Sequence, residues 1–270
     1  MRAIRLAVLG DPLLYTRSPE LHRAGLAALG LEGESSAIRT SVDRLPARLD
    51  ELEAHGFRGV NLTHPLKEAA LAQVGRASAS ATRARSVNTI GFAAGGRWGE
   101  TTDGAGFLDL LRNTSREPSR ERVVLFGSGG ASRSLALALL EAGCASVMVA
   151  SRDPAGAAAA WREIHGASLA GLETRELAET LGRATLIVNG TPRSSASEPV
   201  PVERLPRAAV LVDLTYGAAP PGWVTAARSA GLRAEDGLGL LVHQARRSLS
   251  LWLERDVPLA PLARAVGWAP

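Results

Sequence analysis

Arg122-Val123-Val124-Leu125-Phe126-Gly127-Ser128-Gly129-Gly130-Ala131-Ser132-Arg133 is a short apolar run that empties into a glycine-rich turn. Valine, leucine and phenylalanine over 122–126 predict a buried strand. The glycines at its exit let the backbone turn sharply and come close to a ligand. The apolar stretch that follows, as far as Ala142, predicts a helix whose first N–H groups have no partner inside the helix. Strand, glycine turn and helix N-terminus together form a receptor for a pyrophosphate. Gly127, Ser128, Gly129, Gly130 and Ala131 are therefore candidate cofactor contacts, with Ser132 standing where a third Gly or Ala is usual. A second strand over 146–150 arrives where a parallel α/β layer needs it.

The end of that second strand bears on which dinucleotide is held. An NAD site usually places an acid there to accept from the ribose hydroxyl. Here the strand runs into Ser151-Arg152 instead, a hydroxyl and a guanidinium suited to a 2′-phosphate. NADP is the expected cofactor. NAD stays open as the alternative, because Asp153 follows at once, although Asp153 is also placed to cap a helix starting at Pro154. Further buried strands are expected over 186–188 and 210–214, leading into Asn189-Gly190-Thr191 and Tyr216, with a flexible loop over 194–197. Asp236-Gly237-Leu238-Gly239 breaks the pattern, and helices are expected over 240–253 and 259–266. Gln244 lies in the first of these, and Trp252, eight residues on, shares its face and should pack inward.

Upstream, strands over 4–9, 36–40 and 57–62 alternate with helices over 20–29 and 45–54. That alternation indicates a second parallel α/β layer. Active residues belong at the carboxyl ends of such strands. The loop after the first strand carries Thr16 and Ser18, the latter placed as an N-cap before Pro19 and both available to a carboxylate. The third strand ends in Gly59-Val60-Asn61-Leu62-Thr63-His64-Pro65-Leu66-Lys67. Lys67 is the one lysine among 31 basic residues, the rest being arginine. Arginine keeps its proton under ordinary conditions and lysine can pass one, so a lone lysine is a candidate for proton transfer. A hairpin over 86–92 and 97–100, around Gly95-Gly96, brings Asn88 near Thr102-Asp103. Asp103 caps a helix over 105–111 or joins a polar constellation with Asn88 and Lys67.

Composition narrows the class. At 270 residues and 46% apolar the chain can build two domains. A net charge of +4, with acids and bases interspersed and no basic block carrying aromatics, argues against nucleic acid. Cys144 is alone, which excludes an intrachain disulfide and suits a cytoplasmic setting. The most apolar run, 135–150, is broken by Glu141 and Gly143 and is too short to span a bilayer, so no membrane partner is expected. No metal site is expected either, and the chain is read as a monomer or a homodimer.

Taken in order, these blocks resemble the shikimate dehydrogenase family. Gly10 to His22 is similar to its substrate loop, Gly59 to Lys67 to its G-x-N-x-T-x-P-x-K block, and Val87-Asn88-Thr89 and Thr102-Asp103 to the next two. The glycine turn, Asn189 to Thr191, Asp213-Leu214-Thr215-Tyr216, and the segment from Asp236 to Trp252 follow in the family's order. The resemblance implies a substrate domain over 1–103 and 238–270 and a Rossmann-type dinucleotide domain over 104–237. It implies reversible hydride transfer between NADP(H) and the 3-dehydroshikimate/shikimate pair. Lys67 and Asp103 would be the catalytic pair, and Thr16, Ser18, Thr63, Asn88, Tyr216 and Gln244 the substrate contacts. Ser151, Arg152, Asn189, Thr191 and Gly237 would join the glycine turn around the cofactor. The chain departs from the family's pattern at Tyr15-Thr16, Arg85-Ser86, Thr101, Ser151, Asp153, Gly156 and Arg246. Quinate or another cyclic hydroxy acid is the alternative substrate, and a nucleotide-binding regulator without turnover the alternative class.

Overall fold

Burial rises along β1 (Ile4–Gly10) until Leu6, Ala7, Val8 and Leu9 are all enclosed. A strand buried on both faces needs a layer on each side. Helix α1 (Ser18–Ala28) returns beside it, β2 (Gly33–Arg39) pairs with it in parallel, and α2 (Leu45–Ala54) leads to β3 (Gly59–Leu62), parallel on its other edge. Ala7 and Leu9 join Leu45, Leu49 and Leu52 of α2 in one core cluster. A short α3 (Leu66–Ala69), a two-residue β4 (Arg76–Ala77) and α4 (Ala79–Ala84) precede the hairpin of β5 (Thr89–Ala93) and β6 (Gly96–Glu100). The sheet order is β2-β1-β3-β5-β6-β4. Helix α5 (Asp103–Asn113) then leaves this layer.

The second layer is built from β7 (Arg122–Phe126), α6 (Gly130–Glu141), β8 (Ser146–Ser151), α7 (Pro154–Trp161), β9 (Ala167–Gly171), α8 (Arg175–Leu181), β10 (Leu186–Asn189), β11 (Val210–Asp213), α9 (Gly222–Ser229) and β12 (Arg233–Glu235). Every strand pairing is parallel, and the order is β12-β11-β10-β7-β8-β9. Val124, Phe126, Met148, Ile187 and Leu211 cluster with Leu177, Leu181, Trp223 and Val224 from α8 and α9. Side-chain alternation sends Val123, Leu125, Val147 and Val149 to the opposite face. The chain reverses direction across the sheet between β7 and β10, and ligands of open α/β sheets bind at the carboxyl ends beside such a switch. Helices α10 (Leu238–Leu253) and α11 (Leu259–Val266) complete the chain.

The computed structural model describes residues 3–192 and 198–269, so the loop expected over 194–197 lies outside the described residues. The chain divides into two units, residues 1–106 with 241–270 and residues 107–240. It passes between them inside α5 and again inside α10. Within the first unit α1 packs on α11, and Gly25 of α1 sits close to Leu249, Val257 and Leu262.

Several expectations need correction. The first layer is mixed: β5 runs antiparallel to β3, because a tight hairpin, unlike a helical crossover, reverses direction. β2 starts at Gly33 and β3 at Gly59, and β5 starts at Thr89, leaving Asn88 just outside the strand. Ser18 is not an N-cap: it is the first helical residue, Arg17 is the cap position, and no side chain caps the helix. Thr16 supplies the local turn instead, its hydroxyl accepting from the Ser18 N–H at 3.2 Å. α10 begins at Leu238, so Gly239 lies within the helix. Asp153 does cap α7, accepting from the Gly156 N–H at 2.8 Å.

Trp252 packs inward as expected, buried beneath β3 and donating its indole N–H to the Ile90 carbonyl at 3.0 Å. It lies so close to Gly59 that a β-carbon there would stand 2.2 Å from its Nε1. Gly59→Ala is expected to cost about 1–3 kcal/mol, the range for overpacking a filled core, measured as a lowered midpoint in urea at unchanged slope.

Candidate functional site

The strand registers of the first unit decide which loops meet. β1 pairs with β3 so that Leu9 lies opposite Leu62, placing the loops after both strands at one end of the sheet. The Asp11 N–H binds the His64 carbonyl at 3.0 Å and ties those loops together. β5 runs the other way with Thr89 opposite Asn61, so Asn88 enters at that same end. Thr89 also faces Glu100, which delivers Thr102 and Asp103 there as β6 finishes.

Lys67 stands in α3 with its Nζ 2.6 Å from Oδ2 of Asp103. The Asp103 side chain is 2% exposed and that of Lys67 18%, so the carboxylate is enclosed while the ammonium keeps access to a ligand. The other carboxylate oxygen, Oδ1, accepts from the Asn88 amide at 2.9 Å. That amide also reaches Thr102 Oγ1 at 3.0 Å and Gln244 Oε1 at 3.1 Å. Asn88 Oδ1 accepts from the Thr102 N–H at 2.8 Å, which fixes the direction of the side chain. Lys67, Asp103, Asn88 and Gln244 thus form one connected group.

Behind them lies a buried polar relay. Asn61 Nδ2 donates to the Asn88 carbonyl at 3.0 Å and to Ser248 Oγ at 2.9 Å, while Thr89 and Ser248 hydroxyls meet at 2.8 Å. Asn61 Oδ1 faces His22 Nε2 at 2.9 Å, and Ser35 Oγ lies 2.8 Å from Nδ1. Since the Asn61 amide nitrogen points at a carbonyl, its oxygen must accept, so the Nε2 of His22 carries the proton. Burial holds His22 neutral by lowering its pKa from 6.5 to about 4, against a raising effect of the Asn61 bond and with a small lowering by Arg23. Such networks reward complete satisfaction, and a missing member leaves a costly orphan.

Thr16 and Ser18 lie together, their hydroxyl oxygens 3.3 Å apart, with Ser18 buried. Thr63 follows β3 half-buried, its methyl against the backbone of Gly10. Among the described residues, none of these three side chains bonds to the Lys67 group.

In the second unit the glycine turn follows β7, and Asn189 ends its neighbour β10 and leads into Gly190-Thr191. Gly127 takes a φ of 96° and lies so close to Gly190 and Thr191 that a β-carbon would touch both backbones at 3.1 Å. Gly129 faces open space, with nothing within 4 Å of its would-be β-carbon. Helix α6 starts at Gly130 with no side-chain cap, leaving its first N–H groups to an external acceptor. This concave, uncapped helix start fits a dinucleotide pyrophosphate.

Ser151 ends β8 with its hydroxyl 3.2 Å from that of Ser128. Arg152 is exposed, and among the described residues its guanidinium has no carboxylate partner. Asp153 lends its carboxylate to the cap of α7. Asn189 is occupied structurally, donating to Asp213 Oδ2 at 2.8 Å and accepting from the Thr191 hydroxyl at 2.6 Å. Gly237 lies against Leu214, whose carbonyl oxygen would be 2.1 Å from an added β-carbon. Tyr216, after β11, is half-buried.

Sequence reading missed the supporting relay. Asn61 had a signal, a polar residue between Val60 and Leu62 of a buried strand. Ser248 had one too, midway between Gln244 and Trp252 at helical spacing. His22 shows only as a polar residue next to the buried Leu21, Gly25 and Leu26 of α1.

An all-parallel sheet with a glycine turn at its switch point, and a separate layer presenting a lysine–aspartate pair, define a two-unit dinucleotide-dependent oxidoreductase. Residues 8–90 match the family model described as the shikimate dehydrogenase substrate binding domain. The chain is 40% identical over 249 residues to the shikimate dehydrogenase (NADP(+)) of a Thermus thermophilus strain, covering 92% of each. It is 36% identical over 255 residues to that of Aromatoleum aromaticum, covering 92% of this chain and 91% of the relative. A shikimate 5-dehydrogenase from Thermus thermophilus, solved in complex with NADP(H) and shikimate, superposes with a TM-score of 0.86 at 36% identity over 98% of both chains. This chain belongs to the shikimate dehydrogenase family. Among the described residues no helix is long and apolar enough to cross a membrane.

Proposed function

We propose that this chain interconverts 3-dehydroshikimate and shikimate with NADP(H). The observation that carries this is the Lys67–Asp103 pair at 2.6 Å, locked through Asn88 and Gln244, in a chain of this family. When bound, the nicotinamide supplies or takes up hydride. The protein handles the rest. As a ketone is reduced, its oxygen gains negative charge and needs a proton. The Lys67 ammonium stabilises that charge and delivers the proton. Asp103 holds the ammonium in place and offers an acceptor to a neighbouring ring hydroxyl. Asn88 keeps the Asp103 carboxylate from rotating, and Gln244 contributes an amide to the same polar wall.

Thr16 and Ser18 bind the substrate carboxylate. Their support is the pairing of two hydroxyls at the start of an uncapped helix on the same sheet end as Lys67. Thr63 and Tyr216 add hydroxyl contacts. Gly127, Ser128, Gly129, Gly130 and Ala131 hold the pyrophosphate, with Asn189, Thr191 and Gly237 shaping the backbone around them. Ser151 and Arg152 read the 2′-phosphate. Asp153 does not oppose them as an unengaged charge would, since it already serves the α7 helix N-terminus. We read the protein as cytoplasmic and as a monomer or homodimer.

The test is a panel of shikimate and quinate with NADP and NAD. Shikimate with NADP is expected to give the highest kcat/KM, and absence of shikimate oxidation with either cofactor would overturn the reading. Arg152→Ala is expected to raise the KM for NADP about 10- to 100-fold, the worth of a charge-assisted hydrogen bond, and to leave that for NAD unchanged. An unaltered cofactor preference would mean that the phosphate is read elsewhere.

A further inference from the structure

Ser128 lies in the middle of the glycine turn, and its carbonyl oxygen receives two side-chain donors. Arg133, one turn into α6, donates from Nη1 at 3.2 Å. Trp161, the last residue of α7, donates its indole Nε1–H at 3.1 Å. Both side chains are buried, 3% and 4% exposed. Nothing in a glycine-turn motif calls for a tryptophan some thirty residues downstream, and Trp161 has no place in the catalytic and binding roles assigned above.

The consequence follows from peptide geometry. The Ser128–Gly129 peptide is planar, so its C=O and N–H point in opposite directions. Holding the carbonyl inward against Arg133 and Trp161 turns the Gly129 N–H outward. That N–H has no acceptor among the described residues, and the space beside Gly129 is open. A peptide followed by glycine can flip with little steric penalty, because glycine accepts either sign of φ. In the flipped state a carbonyl would face the incoming phosphates and repel them. The turn therefore needs something to choose its orientation.

We propose that Trp161, together with Arg133, is a positioning residue for the dinucleotide site: by anchoring the Ser128 carbonyl it presents the Gly129 N–H to the pyrophosphate. This rests on reading the turn as the pyrophosphate cradle. The test is titration of the unliganded protein with NADP by calorimetry, alongside adenosine 2′-monophosphate, which carries the 2′-phosphate and no pyrophosphate. Trp161→Phe keeps the ring and removes the N–H. It is expected to weaken NADP roughly three- to tenfold, the scale of one hydrogen bond, and to leave adenosine 2′-monophosphate unchanged. At saturating NADP, kcat and the KM for shikimate stay at wild-type values.

Equal weakening of both ligands would mean that the ring only supports the fold, and equal affinity for NADP would remove Trp161 from the site. Either result overturns the proposal. If wild-type protein itself failed to bind NADP, the reading of the turn would fall instead, which separates the two. Should Trp161→Phe not fold, Arg133→Lys, which keeps the charge and shortens the reach to Ser128, carries the same expectation and is overturned by the same results.

Discussion

Lys67→Ala is expected to lower kcat for shikimate oxidation by about three orders of magnitude, with the dissociation constant for NADP within about threefold of wild type. The size follows from the two tasks lost together. Proton transfer by a positioned group contributes roughly 10²–10⁴-fold, and because the same ammonium carries both the proton and the charge at the developing oxyanion, the two losses overlap and do not multiply. No other group can take over, since this is the only lysine in the chain and arginine holds its proton too tightly. Lys67→Arg should be nearly as inactive, although it keeps the charge. NADP affinity is spared because the proposed nucleotide contacts lie on residues 127–131, 151–152 and 189–191, none of them in the Lys67 group. Steady-state kinetics with calorimetric titration of NADP makes the check, and turnover within threefold of wild type would sink the assignment of Lys67.

Asp103→Asn is expected to lower kcat by about two orders of magnitude with the melting temperature little changed. The substitution is nearly isosteric, and an amide oxygen at Oδ1 can still accept from Asn88. What disappears is the charge 2.6 Å from Lys67 Nζ. The lysine then loses its anchor, and a displaced acid is a poor one even when present. Because the ammonium is 18% exposed, water compensates it in part, which limits the cost to folding. A kcat close to wild type would show that Asp103 is a structural partner alone. A large fall in melting temperature would place the effect in the fold instead of the reaction. The split between kcat and the KM for shikimate distinguishes lost proton transfer from lost binding.

Much of this is legible in the residue order alone. The glycine turn between a β-branched strand and a long apolar helix announces the second layer, because both the turn chemistry and the periodicity are local. Lys67 is visible for a different reason, its rarity against 30 arginines. Asp103 and Asn88 can be suspected, yet their meeting depends on the register of β3, β5 and β6, which no local pattern displays. The same is true of the relay from His22 through Asn61 to Thr89 and Ser248, assembled from four separate elements. Strands β9 and β12 and helices α8 and α9 escape notice because their propensities are weak and packing in the sheet decides them. The Ser18 cap is misread because the Glu20 and Leu21 N–H groups it would serve go to the Arg17 carbonyl, while Thr16 takes the N–H of Ser18 itself.

The solitary lysine has a practical corollary. In most enzymes the behaviour of one amine is lost among dozens of similar signals, and isolating it requires substitutions that disturb the very group of interest. Here isotopic labelling of that amino acid would give a single side-chain amine resonance, and an amine-selective acylating reagent would meet a single ε-amine, both in the unaltered protein. The ionisation of the group can thus be followed directly by spectroscopy as pH, substrate or nucleotide is varied.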